Sequence, residues 1–381
     1  MITVIIFIAV LGLLVFVHEL GHFLLAKRAG MQVDEFGFGF PPRVFGVYKT
    51  ESGRKFVFGT NQPENATSTI YSLNLIPLGG FVKIVGENND APDNPSSFGK
   101  KSFMSRLSVL LAGVVMNAVL AWVLITICLV SGVPTVLDEG TSLPAGTVLS
   151  TPIITLLDVN AGSPAERAGL KVGDSIMSID GVSFQSITDL QKYVGDRKGG
   201  KFVFTVSHGG STTKSLMVES LANPAPGSGP TGIALGLVGK LKYPLGKAVI
   251  TGFTTTGTQM YAVLKGLGKL VTGGVALNQL GGPVKIAQLT GEASKLGFVY
   301  LLQFAAFLSL NLAVLNALPV PALDGGRVLF LIIEKVRRKA NNPRVEQAFN
   351  AFGFLVLLLL MLVVTVNDFH GFSAIGRLLG K

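Results

Sequence analysis

Long apolar runs alternate with polar stretches along this chain, and the runs predict membrane-spanning helices. Ile2 to Ala26 is apolar apart from His18, Glu19 and His22. Leu107 to Val130 follows, then Leu296 to Leu323 without one charged residue, then Phe349 to Val366. Each reaches or approaches the roughly 20 residues that a helix needs to cross the hydrocarbon core. From about Thr151 to Ser220 the pattern is different. Short stretches with strand-like alternation, such as Ile153 to Val159 and Lys201 to Ser207, are separated by Gly, Asp and Ser turns, as in a water-facing domain.

Composition agrees with the pattern. Of 381 residues 49% are hydrophobic and only 14% charged, and the mean hydropathy is +0.54. These values exclude an ordinary soluble domain and point to a polytopic membrane protein. The first run has neither a basic leader nor a small-residue cleavage site, so it reads as a resident helix rather than a cleaved signal peptide. The net charge of +10 does not form an aromatic-interleaved stripe, which argues against nucleic acid as a partner. It gathers instead at Lys27 and Arg28, at Lys100, Lys101 and Arg106, and at Lys335, Arg337, Arg338 and Lys339. If all four runs cross, these loops share one side, and the positive-inside rule makes that side cytoplasmic. Both termini and the middle domain are then expected outside. The single cysteine, Cys128, lies inside the second run and reads as a small apolar residue.

The chemistry is concentrated in the first run. In His18-Glu19-Leu20-Gly21-His22 the two histidines stand one helical turn apart and can aim both imidazoles at one metal ion. Glu19 beside them is placed to polarise a water rather than to ligate, the division of labour that the H-E-x-x-H spacing serves. Charged groups in such a segment cost about 2 to 3 kcal/mol each on insertion scales, so they read as functional. Two histidines leave a catalytic zinc short of a third protein ligand. The run from Leu296 breaks at Asn316-Ala317-Leu318-Pro319-Val320-Pro321, and Asp324 is the one carboxylate beside that break. Asp324 is either the third ligand or the N-cap of a helix over Gly325 to Val336; burial near the metal motif favours ligation.

The segments between the runs divide the chain further. The first helix with its motif occupies 1–30. The Phe-Gly-Pro run Glu35 to Pro42 predicts a re-entrant or interfacial loop, followed by a hairpin over Arg43 to Gln62. A second strand pair is expected at Thr69 to Ile76 and Phe81 to Val85, joined through Pro77 to Gly80. Together, 31–104 read as a re-entrant loop and small sheet on the cytoplasmic face, whose edge could pair with an unfolded substrate by strand addition. Asn88 to Ser97 is polar and reads as a flexible loop. The second span takes 105–131, and a Gly/Pro/Ser/Thr linker runs from Ser131 to Ser150.

In the middle domain, within 132–222, Ser163 caps a short helix that begins at Pro164 and stops at Gly169. The strand Ser175 to Ile179 with its Asp180-Gly181 turn, a helix over Thr188 to Val194, and a strand at Lys214 to Val218 complete a unit that resembles a circularly permuted bacterial PDZ domain. That resemblance implies a groove able to bind an extended chain end, or a rigid spacer. Region 223–294 holds a linker, Asn223 to Pro230, and an amphipathic stretch, Gly246 to Val271, suited to the outer membrane surface. The third transmembrane segment spans 295–340, and the fourth with the C-terminal tail 345–381.

Taken together, these motifs resemble the site-2 protease family of intramembrane zinc metalloproteases, in its bacterial form. The likeness rests on His18 to His22, Gly37 to Pro41, Pro77 to Gly80, one PDZ-like unit, and Asn311 and Asn316 ahead of Leu323-Asp324-Gly325. The family's fold would be an α-helical polytopic membrane protein with four transmembrane helices, a cytoplasmic-side membrane-associated β-sheet and one extracytoplasmic PDZ domain. The resemblance implies one Zn2+ on His18, His22 and Asp324, Glu19 as catalytic base, and Asn311 and Asn316 as residues that hold the substrate backbone. It further implies a bacterial inner-membrane protein acting on single-pass substrates such as anti-sigma factors or signal-peptide remnants. Two features depart from the family pattern: some members carry tandem PDZ domains where one is visible here, and the Gly-Phe-Gly-Phe-Pro loop is one residue longer than the commonest form. A membrane-tethered PDZ adaptor without activity is the alternative from another class, and the intact motif argues against it. A CAAX-type membrane zinc protease would instead show a Glu as third ligand and no PDZ unit.

Overall fold

The computed structural model describes residues 2–60, 63, 68–87, 93–137, 144–208, 212–224, 229–273 and 281–370. Parts of the expected loop from Asn88, of both linkers and of the C-terminal tail lie outside the described residues, at 88–92, 138–143, 225–228 and 371–381. In chain order the elements begin with α1 (Ile2–Arg28), β1 (Val33–Thr50), β2 (Gly53–Phe58), β3 (Ile70–Ile84) and α2 (Phe103–Ser131). Next come β4 (Val133–Leu137), β5 (Val148–Leu149), β6 (Ile153–Val159), α3 (Pro164–Ala168), β7 (Asp174–Ile179), α4 (Ile187–Gly195), β8 (Lys201–His208), β9 (Thr212–Glu219) and β10 (Ile233–Lys242). The chain closes with α5 (Leu245–Val271), α6 (Pro283–Leu296), α7 (Phe298–Ala317), α8 (Asp324–Arg337) and α9 (Pro343–His370). Four of the helices are long and apolar enough to cross a membrane: α1, α2, α7, and α9 over Pro343–Phe369. The chain divides into two compact units, Met1–Ile125 with Gly252–Glu292 and Gln303–Lys381, and Thr126–Thr251 with Ala293–Leu302.

In the first unit, β1, β2 and β3 form one sheet with β1 central. Two expectations fail here. Glu35 to Pro42 is not a loop but the first half of β1, and Thr69–Ile76 and Phe81–Val85 do not pair with each other. Both halves of β3 instead flank that first half of β1, with Phe36 opposite both Val82 and Tyr71, and Phe38 opposite both Gly80 and Leu73. The physical reason lies in what the aromatic rings meet. Phe36 packs against Phe16 and stacks on Phe23 at 4.6 Å between ring centroids, and Phe38 packs against Phe16, so the Phe-Gly repeat faces α1 rather than water. Gly39, with φ +84°, turns the strand between its halves. The bend of β3 is held to α1 in the same way, with Gly79 against Val15 and Gly80 against Phe16, one turn before His18.

The second unit holds a sheet with its own hydrophobic core. Its sheet runs β4-β10-β6-β7-β8-β9, with β5 beside β10, and Leu156, Ile179, Phe202, Phe204 and Val218 pack with Leu190 and Val194 of α4 into one core. The short helix α3 starts and stops as its sequence dictates. Ser163 accepts a hydrogen bond from the Glu166 N–H, Pro164 opens the helix, and Gly169 ends it with φ +89°. The expected boundary near residue 222 is too early. Strand β10, absent from the sequence reading, joins β6 in the register Leu237–Ile154, and β4, inside the expected linker, pairs on its other side.

Candidate metal centre

α1 carries both imidazoles, α8 brings the carboxylate, and α2 forms the wall. His18 and His22 are buried on the same side of α1. Their Nε2 atoms are 3.2 Å apart. Asp324 Oδ2 lies 3.0 Å from His18 Nε2 and 3.4 Å from His22 Nε2. Among the described residues these three form the cluster of His, Cys, Asp and Glu able to hold a metal ion.

Asp324 reaches this place through the break that precedes α8. After Ala317 the chain folds through Leu318 to Leu323, with Val320 N–H bonded to Leu318 O and Leu323 N–H to Val320 O. Leu323 is the N-cap of α8 and Asp324 its first helical residue, so the carboxylate does not serve as the cap. The glycine that follows is required by packing. A Cβ on Gly325 would sit 2.5 Å from Ala317 O, closer than real side chains come. Two ion pairs anchor the helix. Glu334 takes Arg106 of α2 in a forked pair at 2.6 and 3.2 Å, and Arg327, three residues after Asp324, pairs with Glu87 beyond the end of β3.

The arrangement fits a zinc ion on three counts. A tetrahedral ion about 2.0 to 2.1 Å from each ligand needs ligand spacings of about 3.3 Å, and the three spacings here bracket that value. Asp324 Oδ2 is buried without a well-formed hydrogen bond, a state that a divalent cation relieves. Space is kept open opposite the imidazoles: a Cβ on Gly113 of α2 would stand 2.5 Å from His22 Nε2 and 2.6 Å from His18 Nε2. Glu19 is half-buried and lies within the electrostatic reach of His22, His18 and Asp324.

Not every expected residue joins the cluster. Asn311 donates its side-chain N–H to Phe307 O one turn back on its own helix, at 2.8 Å. Asn316, one residue before the end of α7, has no side-chain hydrogen bond among the described residues and is half-buried. His208 belongs to the second unit, where Nδ1 lies 2.6 Å from Asp174 Oδ1. Two contributors on α2 escaped the sequence reading. The Val109 carbonyl accepts from His22 Nδ1 at 2.8 Å, a backbone role that no side-chain pattern reveals. The fully buried Asn117 lies 3.2 Å from His18 Nδ1; an amide inside a membrane-grade helix was the available signal.

Comparison with known proteins places these features in context. The profile of peptidase family M50 matches residues 6–360. The chain is 33% identical over 450 aligned residues to the regulator of sigma-W protease RasP of Bacillus subtilis, covering 96% of this chain and 98% of that protein. It is 32% identical over 449 residues to the zinc metalloprotease RasP of Bacillus licheniformis, with 96% and 98% covered. With the zinc metalloprotease RasP of Geobacillus kaustophilus it shares 30% over 453 residues, with 97% and 98% covered.

Proposed function

From the premise that the chain belongs to peptidase family M50 and is a zinc metalloprotease of the site-2 kind, we propose that His18, His22 and Asp324 hold its zinc and Glu19 is its catalytic base. The observation that carries this assignment is the set of three ligand-atom spacings, 3.0, 3.2 and 3.4 Å, contributed by helices remote in sequence. When bound, zinc supplies Lewis acidity, acidifying water and polarising the scissile carbonyl. Glu19 takes a proton from the attacking water and returns it to the departing amine. Asn316, with an uncommitted amide, is the better placed of the two asparagines to hold substrate backbone, because Asn311 is engaged by its own helix.

The substrate we infer is a single-pass membrane protein cut in or beside its transmembrane helix, an anti-sigma factor or signal-peptide remnant among the candidates. Peptide bonds in a helix are already hydrogen-bonded, so the substrate must unwind before it is cut. An edge of the β1–β2–β3 sheet offers its backbone new partners. The bend of β3 against Val15 and Phe16 supports this reading, since it brings the sheet within one helical turn of His18. In the same proposal the basic loops face the cytoplasm of a bacterial inner membrane, and both termini lie outside with the second unit. That unit is read as a single PDZ domain, supported by the capped α3 and the order β6, α3, β7, α4, β8, β9. It either holds a peptide end or excludes bulky substrates.

Glu19→Gln tests the assignment. Cleavage of a model transmembrane substrate should fall by at least about 10² to 10⁴, while purified protein keeps close to one zinc per chain. Cleavage persisting at the wild-type rate would refute Glu19 as base.

A further inference from the structure

Asn117 carries a contradiction whose resolution assigns it a role. It is wholly buried in α2. Its Nδ2 end faces His18 Nδ1 at 3.2 Å, while its Oδ1 end is buried with no hydrogen-bond partner. A neutral imidazole carries one proton. If His18 Nδ1 accepts from the amide, the proton must sit on Nε2, the atom that faces Asp324 and His22. A protonated Nε2 has no lone pair for a metal. The proposed zinc site therefore requires the opposite tautomer, with the proton on Nδ1 and an acceptor in front of it.

The two ends of an amide have the same shape, and the hydrogen-bond network decides which one faces a neighbour. Half a turn of the Asn117 amide sets Oδ1 against His18 Nδ1 as the acceptor that the zinc-binding tautomer requires, and moves the amide's unpartnered end from Oδ1 to Nδ2. His22 already has this arrangement, because the Val109 carbonyl can only accept, which fixes the Nδ1 proton and frees Nε2. The backbone of Asn117 is held as well, its carbonyl accepting from Ser309 Oγ of α7 at 2.8 Å. We propose that Asn117 is a positioning residue: its side-chain oxygen accepts the His18 Nδ1 proton and so sets the tautomer in which His18 binds zinc. This rests on the assignment of His18 as a ligand.

Zinc affinity of the full-length protein, measured by competition with a chromogenic chelator, separates the two orientations. Asn117→Leu removes the acceptor and should weaken zinc binding by about 10- to 100-fold, the usual loss for such partners. Asn117→Asp offers only acceptor oxygens and should bind zinc within a few-fold of wild type or more tightly. If the amide instead donates to Nδ1, it opposes the zinc-binding tautomer, so Asn117→Leu should bind zinc as tightly as wild type or more tightly, which would overturn the proposal. Asn117→Asp as impaired as Asn117→Leu would overturn it too, because an acceptor oxygen would then not restore binding. A measurement on the wild type avoids dependence on how the variants fold. The chain has four histidines, so ¹⁵N-histidine spectra of zinc-loaded protein, assigned with His18→Ala, read the tautomer directly. A proton on His18 Nδ1 with Nε2 bound is expected, and an unprotonated Nδ1 would refute the assignment. Wild-type protein that binds no zinc would instead overturn the metal-site reading itself.

Discussion

The two sheets of this molecule solve opposite problems. In the second unit the strands bury their largest aromatic rings, leaving Phe202 1% and Phe204 0% exposed. In the first unit the sheet buries polar groups, Glu35, Arg43 and Asn74 all at 5 to 6%, while Phe56 and Phe58 are 67% and 71% exposed. One sheet is ordered for water and the other for a surrounding that welcomes aromatic rings. Pairing offsets most of the polar burial in the first sheet, although Asn74 Oδ1 and Ser72 Oγ stay buried without a hydrogen-bond partner among the described residues. Arg43 forks onto Glu35, with Nε to Oε1 at 2.8 Å, and Asn74 donates to Gly39 O at 2.9 Å. The Phe36 side of this sheet is covered by α1, the helix that carries the two imidazoles.

Three substitutions would break or sharpen this contrast. The largest effect should follow Arg43→Met, which strands the buried Glu35 carboxylate at a cost of about 3 to 5 kcal/mol. Replacing Glu35 by Met as well should restore most of that in thermal unfolding of detergent-solubilised protein; a double variant as unstable as the single one would show that the pair is not the cause. Phe202→Ala should cost a comparable or slightly smaller amount, about 3 to 5 kcal/mol, through a cavity in a core with no room to collapse. Hydrogen exchange should localise that loss to β7, β8 and β9. Phe58→Ala should be the mildest, below about 0.5 kcal/mol in detergent. A loss approaching that of Phe202→Ala would mean that protein, rather than apolar solvent, covers the ring.

The same contrast explains what was legible from sequence. The second unit obeys rules written for water, and Ser163, Pro164 and Gly169 occupy the cap, first and stop positions that their chemistry dictates. The spans were legible because apolar length is a robust signal, and His18 to His22 because a four-residue spacing is local. The Phe-Gly-Pro run was misread because its alternation is aromatic against glycine, and a strand packed on α1 has no polar face to display. Strand β10 was missed because its partners β6 and β4 are remote in sequence and its Gly236 and Gly239 interrupt the alternation. At the site, Asp324 stood out as a carboxylate beside a break. Asn117 did not, because its value depends on which ring nitrogen it meets, a fact of three dimensions.

Helix α2 donates no ligand atom to the cluster, yet at residue 113 it offers the imidazoles a bare backbone. Hydrolytic capacity in this fold thus depends on something missing as much as on anything supplied. One added methyl would crowd both rings at once. On the proposed assignment of His18 and His22 as ligands, Gly113→Ala should therefore lower zinc content and proteolysis together.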